Sequence, residues 1–90
     1  MAPVTNDGGT ALMYASQQGH EAVARLLLQH GANVAQAEND GWTALMYSSY
    51  EGRAAVARLL LQHGANVAQA TNTGWTALMY ASQELSLIHI

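Results

Sequence analysis

The sequence predicts an all-α solenoid of stacked helix-turn-helix units with projecting turns, and three observations carry that expectation. Residues 7–39 are followed at once by a near-copy, residues 40–72, and a third copy opens at Thr73. The two full copies differ only at Gly9/Trp42, Ala15/Ser48, Gln17/Tyr50, Gln18/Glu51, His20/Arg53, Glu21/Ala54 and Glu38/Thr71. Within each copy, glycines fall where helices would have to end, and apolar residues between them recur at helical spacing. A fixed period of 33 residues means supersecondary units that bury their apolar faces on one another. Positions frozen between copies read as scaffold, and positions that drift are where individual function is expected.

The second copy shows each element. Residues 38–41, Glu-Asn-Asp-Gly, have turn chemistry: Asn and Asp bond their own backbone, and Gly supplies positive φ. Thr43 is a good N-cap and Gly52 a good C-terminal stop, so residues 44–51 read as a helix of about two turns. Leu45, Ser48 and Ser49 give it one narrow face suited to close packing. Residues 53–63 read as a second helix, with Val56, Leu59, Leu60 and His63 as its apolar stripe and Arg58 and Gln62 on the polar side. Gly64 ends it, and residues 65–67 lead towards the next turn. Helices this short are marginal in water, so stacking on a neighbouring copy must stabilise them.

Composition removes several function classes. The chain has 90 residues, no cysteine and a formal charge of −3, so neither disulfides nor thiolate metal sites are available. Lysine is absent and Arg25, Arg53 and Arg58 are the only arginines. Phosphate-backbone binding needs clustered Lys and Arg, so nucleic acid is not an expected partner. No apolar run approaches the roughly 20 residues that cross a bilayer, and residues 1–6 lack the character of a signal peptide. The expectation is a soluble protein without membrane insertion, placed in the cytoplasm.

On these residues the chain resembles the ankyrin repeat family. That unit runs D-x-x-G-x-T-P-L-H-x-A-A, then G-H and an apolar helix ending L-L-L-x-x-G-A-x-V-N-A. The matching residues are Gly41, Thr43, Leu45, Gly52, Leu59, Leu60, Leu61 and Gly64 to Val67, with first-copy counterparts Gly8, Thr10, Leu12, Gly19, His20, Leu26, Leu27, Leu28 and Gly31 to Val34. The match covers about residues 5–84. It implies an ankyrin-repeat solenoid that binds another protein through its turn tips and the concave face of its first helices.

Departures from the pattern are specific. The family proline is Ala11, Ala44 and Ala77, and its histidine is Met13, Met46 and Met79. Methionine is expected to pack without donating the histidine's bond. The Asn after the valine is Ala35 and Ala68. The expected result is a looser scaffold than a consensus array, each lost bond being worth about 1 kcal/mol.

The chain therefore divides into a lead-in at 1–6, repeats at 7–39 and 40–72, a partial repeat at 73–84 and a tail at 85–90. Leu85 stands where Gly19 and Gly52 end the first helices, and no second helix of the third repeat follows. The tail Leu-Ser-Leu-Ile-His-Ile resembles one reading frame of the transposase-end oligonucleotide used to fragment DNA for sequencing. A natural truncation or frameshift is the alternative origin. The uncapped end leaves Leu78 without its partner helix, and the expectation is weak or non-cooperative thermal unfolding, or self-association through that end.

No candidate for catalysis stands up. Asp7 and Asp40 occupy the same turn position one repeat apart and read as turn formers on an open edge. His30 and His63 close successive second helices, where imidazole suits the negative helix end, and neither has a carboxylate partner at metal-ligand spacing. Ser16, Ser49 and Ser82 read as packing residues, and no nucleophile elbow or phosphate-cradling loop is present. The protein is expected to be neither an enzyme nor a cofactor binder.

The aromatic residues carry the functional signal. Trp42 and Trp75 follow the turn glycine, and Tyr50 lies at the end of the first helix. In the resembled family these map to the partner-contacting surface, so the expected binding residues are Asn39, Asp40, Trp42, Tyr50, Glu51, Asn72, Thr73 and Trp75. The tryptophans read equally as anchors for a partner or as covers for the neighbouring turn. Tyr14, Tyr47 and Tyr80 recur unchanged and read as packing residues. An alternative role is that of a structural spacer within a longer array.

Overall fold

The computed structural model describes the backbone of residues 10–88 and the side chains of residues 10–82. Asp7, Gly8 and Gly9, singled out above, and the last two residues of the tail lie outside the described residues. Five helices follow in order: α1 (Ala11–Gln18), α2 (Glu21–Gln29), α3 (Ala44–Tyr50), α4 (Ala54–Gln62) and α5 (Ala77–Ile88). α1, α3 and α5 stack as one layer, and α2 and α4 stack behind them as a second. The chain is the all-α solenoid that its periodicity predicts.

Each first helix starts on the predicted threonine. Thr10, Thr43 and Thr76 accept the amide protons of Met13, Met46 and Met79 at 3.3, 3.4 and 3.4 Å through their hydroxyl oxygens. This satisfies one of the donors left over at a helix start. Met46 adds a bond that the sequence reading did not foresee: its thioether sulfur accepts the Thr43 N–H at 3.4 Å. The methionine thus takes the glutamate's place in a capping box, as a weaker acceptor.

The first two of these helices end at glycine. Gly19 caps α1 in the left-handed region, with φ 77°, and Gly52 follows α3 with φ 71°. α5 has Leu85 at the corresponding place and runs on to Ile88, 12 residues against 8 and 7 for α1 and α3. Without a residue that enters the left-handed conformation cheaply, the helix has no local signal to stop. The second helices are one residue shorter at each end than predicted, and His63 is the exposed C-cap of α4 instead of part of its stripe.

The turns between pairs are hairpin-like. Ala37 pairs with Thr43, and Ala70 with Thr76, in isolated antiparallel bridges. Adjacent turn tips are tied together: the Asn72 amide donates to the Asp40 carbonyl at 2.9 Å, and its side-chain amide donates to the Asn39 carbonyl at 2.9 Å. Gly41 sits under this ladder at φ 92°, where a Cβ would meet the Thr71 Cα at 2.9 Å. Glycine is required there both by conformation and by space.

The core lies between the two helix layers, around Leu12, Met13, Leu45, Met46, Val56, Leu59 and Leu60. α2 and α4 share the sequence A-V-A-R-L-L-L-Q yet bury different residues. Leu59 is 3% exposed and its counterpart Leu26 55%; Leu28 is 8% exposed and its counterpart Leu61 45%. Each second helix has two apolar flanks. Val56 and Leu59 are buried on α4, and Ala24 and Leu28 on α2, the helix it packs against. Where no neighbouring helix covers a flank among the described residues, identical side chains meet solvent. Leu78, expected to lack a partner, is 70% exposed.

Two predictions follow from this packing. Leu59→Ala is expected to lower unfolding free energy by about 2–5 kcal/mol, and Leu26→Ala by less than about 1 kcal/mol, in denaturant unfolding. Gly41→Ala is expected to cost about 1–3 kcal/mol, since it combines left-handed strain with a backbone clash. Thermal unfolding followed by circular dichroism measures it, and an unchanged midpoint contradicts the turn-ladder account.

Candidate functional site

Five aromatic side chains converge where the turns meet the first helices. Trp42 packs on Tyr47 at 4.9 Å between ring centroids, on Tyr80 of the next repeat at 4.5 Å, and perpendicular to Tyr50 at 5.8 Å. Tyr80 then stacks on Trp75 at 5.2 Å and stands perpendicular to Tyr50 at 5.8 Å. Tyr47, Trp42, Tyr80 and Trp75 form one column crossing from repeat to repeat, with Tyr50 set against its middle. Offset and perpendicular ring contacts of this kind each add roughly 0.5–1.5 kcal/mol beyond area burial.

The column separates two roles that the sequence left open. Trp42 is half-buried and covers the junction between repeats, while Tyr50, at 47% exposure, and Trp75 present ring surface to solvent. Of the three repeating tyrosines, Tyr80 is buried, Tyr47 half-buried and Tyr14 exposed. The packing expectation therefore fits Tyr47 and Tyr80. Tyr14 has Gly9 instead of tryptophan five residues earlier, so its own repeat supplies no such ring.

The polar members are held by the turns. Asp40 accepts the Trp42 N–H on Oδ1 at 3.1 Å. In the following turn, position 73 is threonine, and Thr71 Oγ1 accepts the Trp75 N–H at 3.2 Å in its stead. Thr71 also exchanges a hydrogen bond with Thr73 through their hydroxyls at 3.0 Å. Two residues before Asp40, Glu38 accepts a hydrogen bond from the Tyr47 hydroxyl. Thr71, its counterpart, is the side chain that acts on the Tyr80 hydroxyl. The Glu38/Thr71 difference is therefore matched to the tyrosine that each serves, a pairing that the sequence reading missed. The signal available was a polar residue nine positions before each tyrosine.

Asn39, Asp40, Asn72 and Thr73 are exposed at the turn tips, and Glu51 is the half-exposed C-cap of α3 beside Tyr50. Asn39, Asp40 and Asn72 double as rungs of the inter-turn ladder. Arg53 ties the repeats at the far end of the first helices: its Nε donates to the Gln17 carbonyl at 3.3 Å, and its stem covers Gly19. A cation there suits the negative C-terminus of α1.

The other candidates stay apart from the ridge. Ser16 is fully buried and bonds the Leu12 carbonyl at 2.7 Å, while Ser49 is half-buried and Ser82 exposed. Among the described residues no three of His, Cys, Asp and Glu come together as a metal-holding group, and no helix is long and apolar enough to cross a membrane. A groove of about 190 Å³ beside Leu12, Leu27 and Asn33 shares no residue with the aromatic column.

A double layer of short helix pairs, tied turn to turn and carrying a ring-lined ridge, defines a helical-repeat protein. The family model described as Ankyrin repeats (3 copies) matches residues 2–71 and 34–89, and the chain belongs to the ankyrin repeat family. Ankyrin repeats generally serve as protein–protein interaction modules. No curated protein matches the chain.

Burial pushes the Tyr80 phenol above its ordinary value; the Thr71 bond opposes this, and the Asp40 carboxylate and Tyr50 reinforce it. A phenol raised in the folded state contributes stability that is fully present below its unfolded pKa of about 10 and lost as pH rises through the folded value. Between about pH 9 and 12, the denaturant midpoint of the protein is therefore expected to fall more steeply than that of Tyr80→Phe. Parallel curves would remove Tyr80 as the cause.

Proposed function

We propose that the protein recognises another protein along the ridge formed by its turn tips and the ends of its first helices. Tyr50 and Trp75 are the anchors, Trp42 is their rigid backing, and Asn39, Asp40, Glu51, Asn72 and Thr73 form the polar rim. The observation that carries this reading is the exposure of Tyr50 and Trp75 while both rings are locked against Tyr80. Rings held in place before binding lose little freedom on contact, and exposed Trp and Tyr are frequent hot-spot residues. The ridge belongs to a protein with net charge −3, which favours a neutral or basic partner.

Tyr50→Ala and Trp75→Ala are each expected to weaken a captured partner by about thirtyfold, the equivalent of ~2 kcal/mol, with helical circular dichroism retained. Unchanged affinity in both variants removes the ridge as the binding surface. Self-association is proposed to use a different face, the exposed Leu61, Leu78 and Met79 of α4 and α5. Leu78→Glu is the variant for sedimentation: a concentration-dependent mass that survives it contradicts that assignment.

A further inference from the structure

Three apolar residues stand open at the α5 end of the stack whose counterparts one repeat earlier are sealed. Leu78 and Met79 are exposed on α5, while Leu45 and Met46 at the same places on α3 are buried. Leu61 is exposed on α4, while Leu28 at the same place on α2 is buried. Identical residues on equivalent helices differ here only in what stands beside them. α4 packs on both α3 and α2 and so closes the corner between them. Among the described residues no helix does the same for α5 and α4, so Leu78, Met79 and Leu61 line two walls of one open corner. Its occupant in the preceding repeat is a nine-residue helix, α4.

The chain itself offers one helix for that place. α2 and α4 already stand behind α1 and α3, whereas α5 packs on α3 and has no helix behind it among the described residues. At 12 residues it is longer than α4, and Glu84 is its single charged residue. Its position completes the fit. One row holds α1, α3 and α5 and the other only α2 and α4, so α5 projects one helix beyond the second row. A projection beside an open corner is complementary to itself under a two-fold rotation about an axis parallel to the helices. Each α5 then lies behind the other and beside the other copy's α4, and both rows continue without a gap. Head-to-tail stacking does not fit, because the α1 of an added copy would need the place that α5 already holds.

Resting on the assignment of self-association to α4 and α5, we propose that the chain forms a closed two-fold dimer in which the α5 helices interlock. The two α5 helices run parallel, which sets Leu78 opposite Leu78 of the partner subunit near the axis and Leu61 against the other copy's α5. Such an interface uses the same patch on both copies and stops at two, unlike end-to-end stacking.

The protein contains no cysteine, so single-cysteine variants of the full chain report proximity. Under mild oxidation, Leu78→Cys is expected to form a disulfide-linked pair at least about tenfold faster than Leu26→Cys, an exposed position at the other end of the stack. Sedimentation over a range of concentrations is expected to show a mass rising from one 9.6 kDa chain to two and no further. Leu78→Glu and Leu61→Glu place a charge in the interface, and each is expected to raise the dissociation constant at least about tenfold. Both positions are exposed in the single chain, so helical circular dichroism is expected to be retained. Leu26→Glu is expected to leave the dimer unchanged.

A single-chain mass at every concentration, or a dimer that survives Leu78→Glu, overturns the self-association reading and the interlock with it. A mass that grows past two chains overturns the two-fold interlock alone. So does a dimer that survives Leu61→Glu or is weakened by Leu26→Glu, and so does crosslinking of Leu78→Cys no faster than that of Leu26→Cys.

Discussion

A repeat of this protein is folded only by the surface of the next one. α2 and α4 present the same run of side chains, yet Leu59 is sealed where Leu26 is open, and Leu28 is sealed where Leu61 is open. The difference lies wholly in what stands beside each helix. Burying a leucine is worth about 1.5–3 kcal/mol, whereas a helix of nine residues cannot sustain itself in water. Stability therefore accumulates at the junctions, where α4 packs on α2 and α3 on α1 and α5. Folding of this kind spreads along one dimension, and every junction contributes separately.

The same constraint organises the face opposite the second helices. Turn tips are short excursions with no core of their own, and they are held by reaching across to one another. Asn72 spans to Asp40 and Asn39, and Gly41 allows the backbones to come close enough for it to do so. Trp42 then lays its ring on Tyr80 of the following repeat. A residue at the turn is thus scaffold on its inner side and, in the function proposed above, recognition surface on its outer side. That dual duty makes the ridge rigid, and rigidity is what allows a small exposed area to bind without a large ordering cost.

The period, the threonine caps, the glycine stops and the helical spacing were enough to place five helices and two layers. Local chemistry determines each of those features, and local chemistry is visible in a string of residues. What the string concealed depends on neighbours. Nothing in A-V-A-R-L-L-L-Q tells which leucine is buried in which copy, because the answer is set by stacking order. His63 was placed in the α4 stripe by spacing alone, yet it lies one residue beyond the helix, as its exposed cap. The sulfur of Met46 as a capping acceptor was hidden because thioethers are poor acceptors and are usually read as packing groups. At the ridge, Tyr50 and Trp75 were legible as exposed rings, but the column through Tyr47 and Tyr80 was not, since it joins residues from different repeats.

Differences between the copies were expected to mark function, and the structure assigns most of them to assembly instead. Trp42 covers a junction, Arg53 ties α1 to the next repeat, Glu38 and Thr71 each serve the tyrosine of the helix that follows, and Ser48 closes its hydroxyl on the Leu45 carbonyl inside the core. Glu21 forms a surface pair with Arg25 that Ala54 forgoes, a contact of small consequence. Two differences remain, Gln17/Tyr50 and Gln18/Glu51, side by side where α3 ends. The first copy has Gly9 where the second has Trp42, so a ring at position 17 would lack the partner that Tyr50 packs against. Tyr50 therefore does two things at once: one part of the ring supports Trp42 and Tyr80, and the open part is what the proposed binding surface uses.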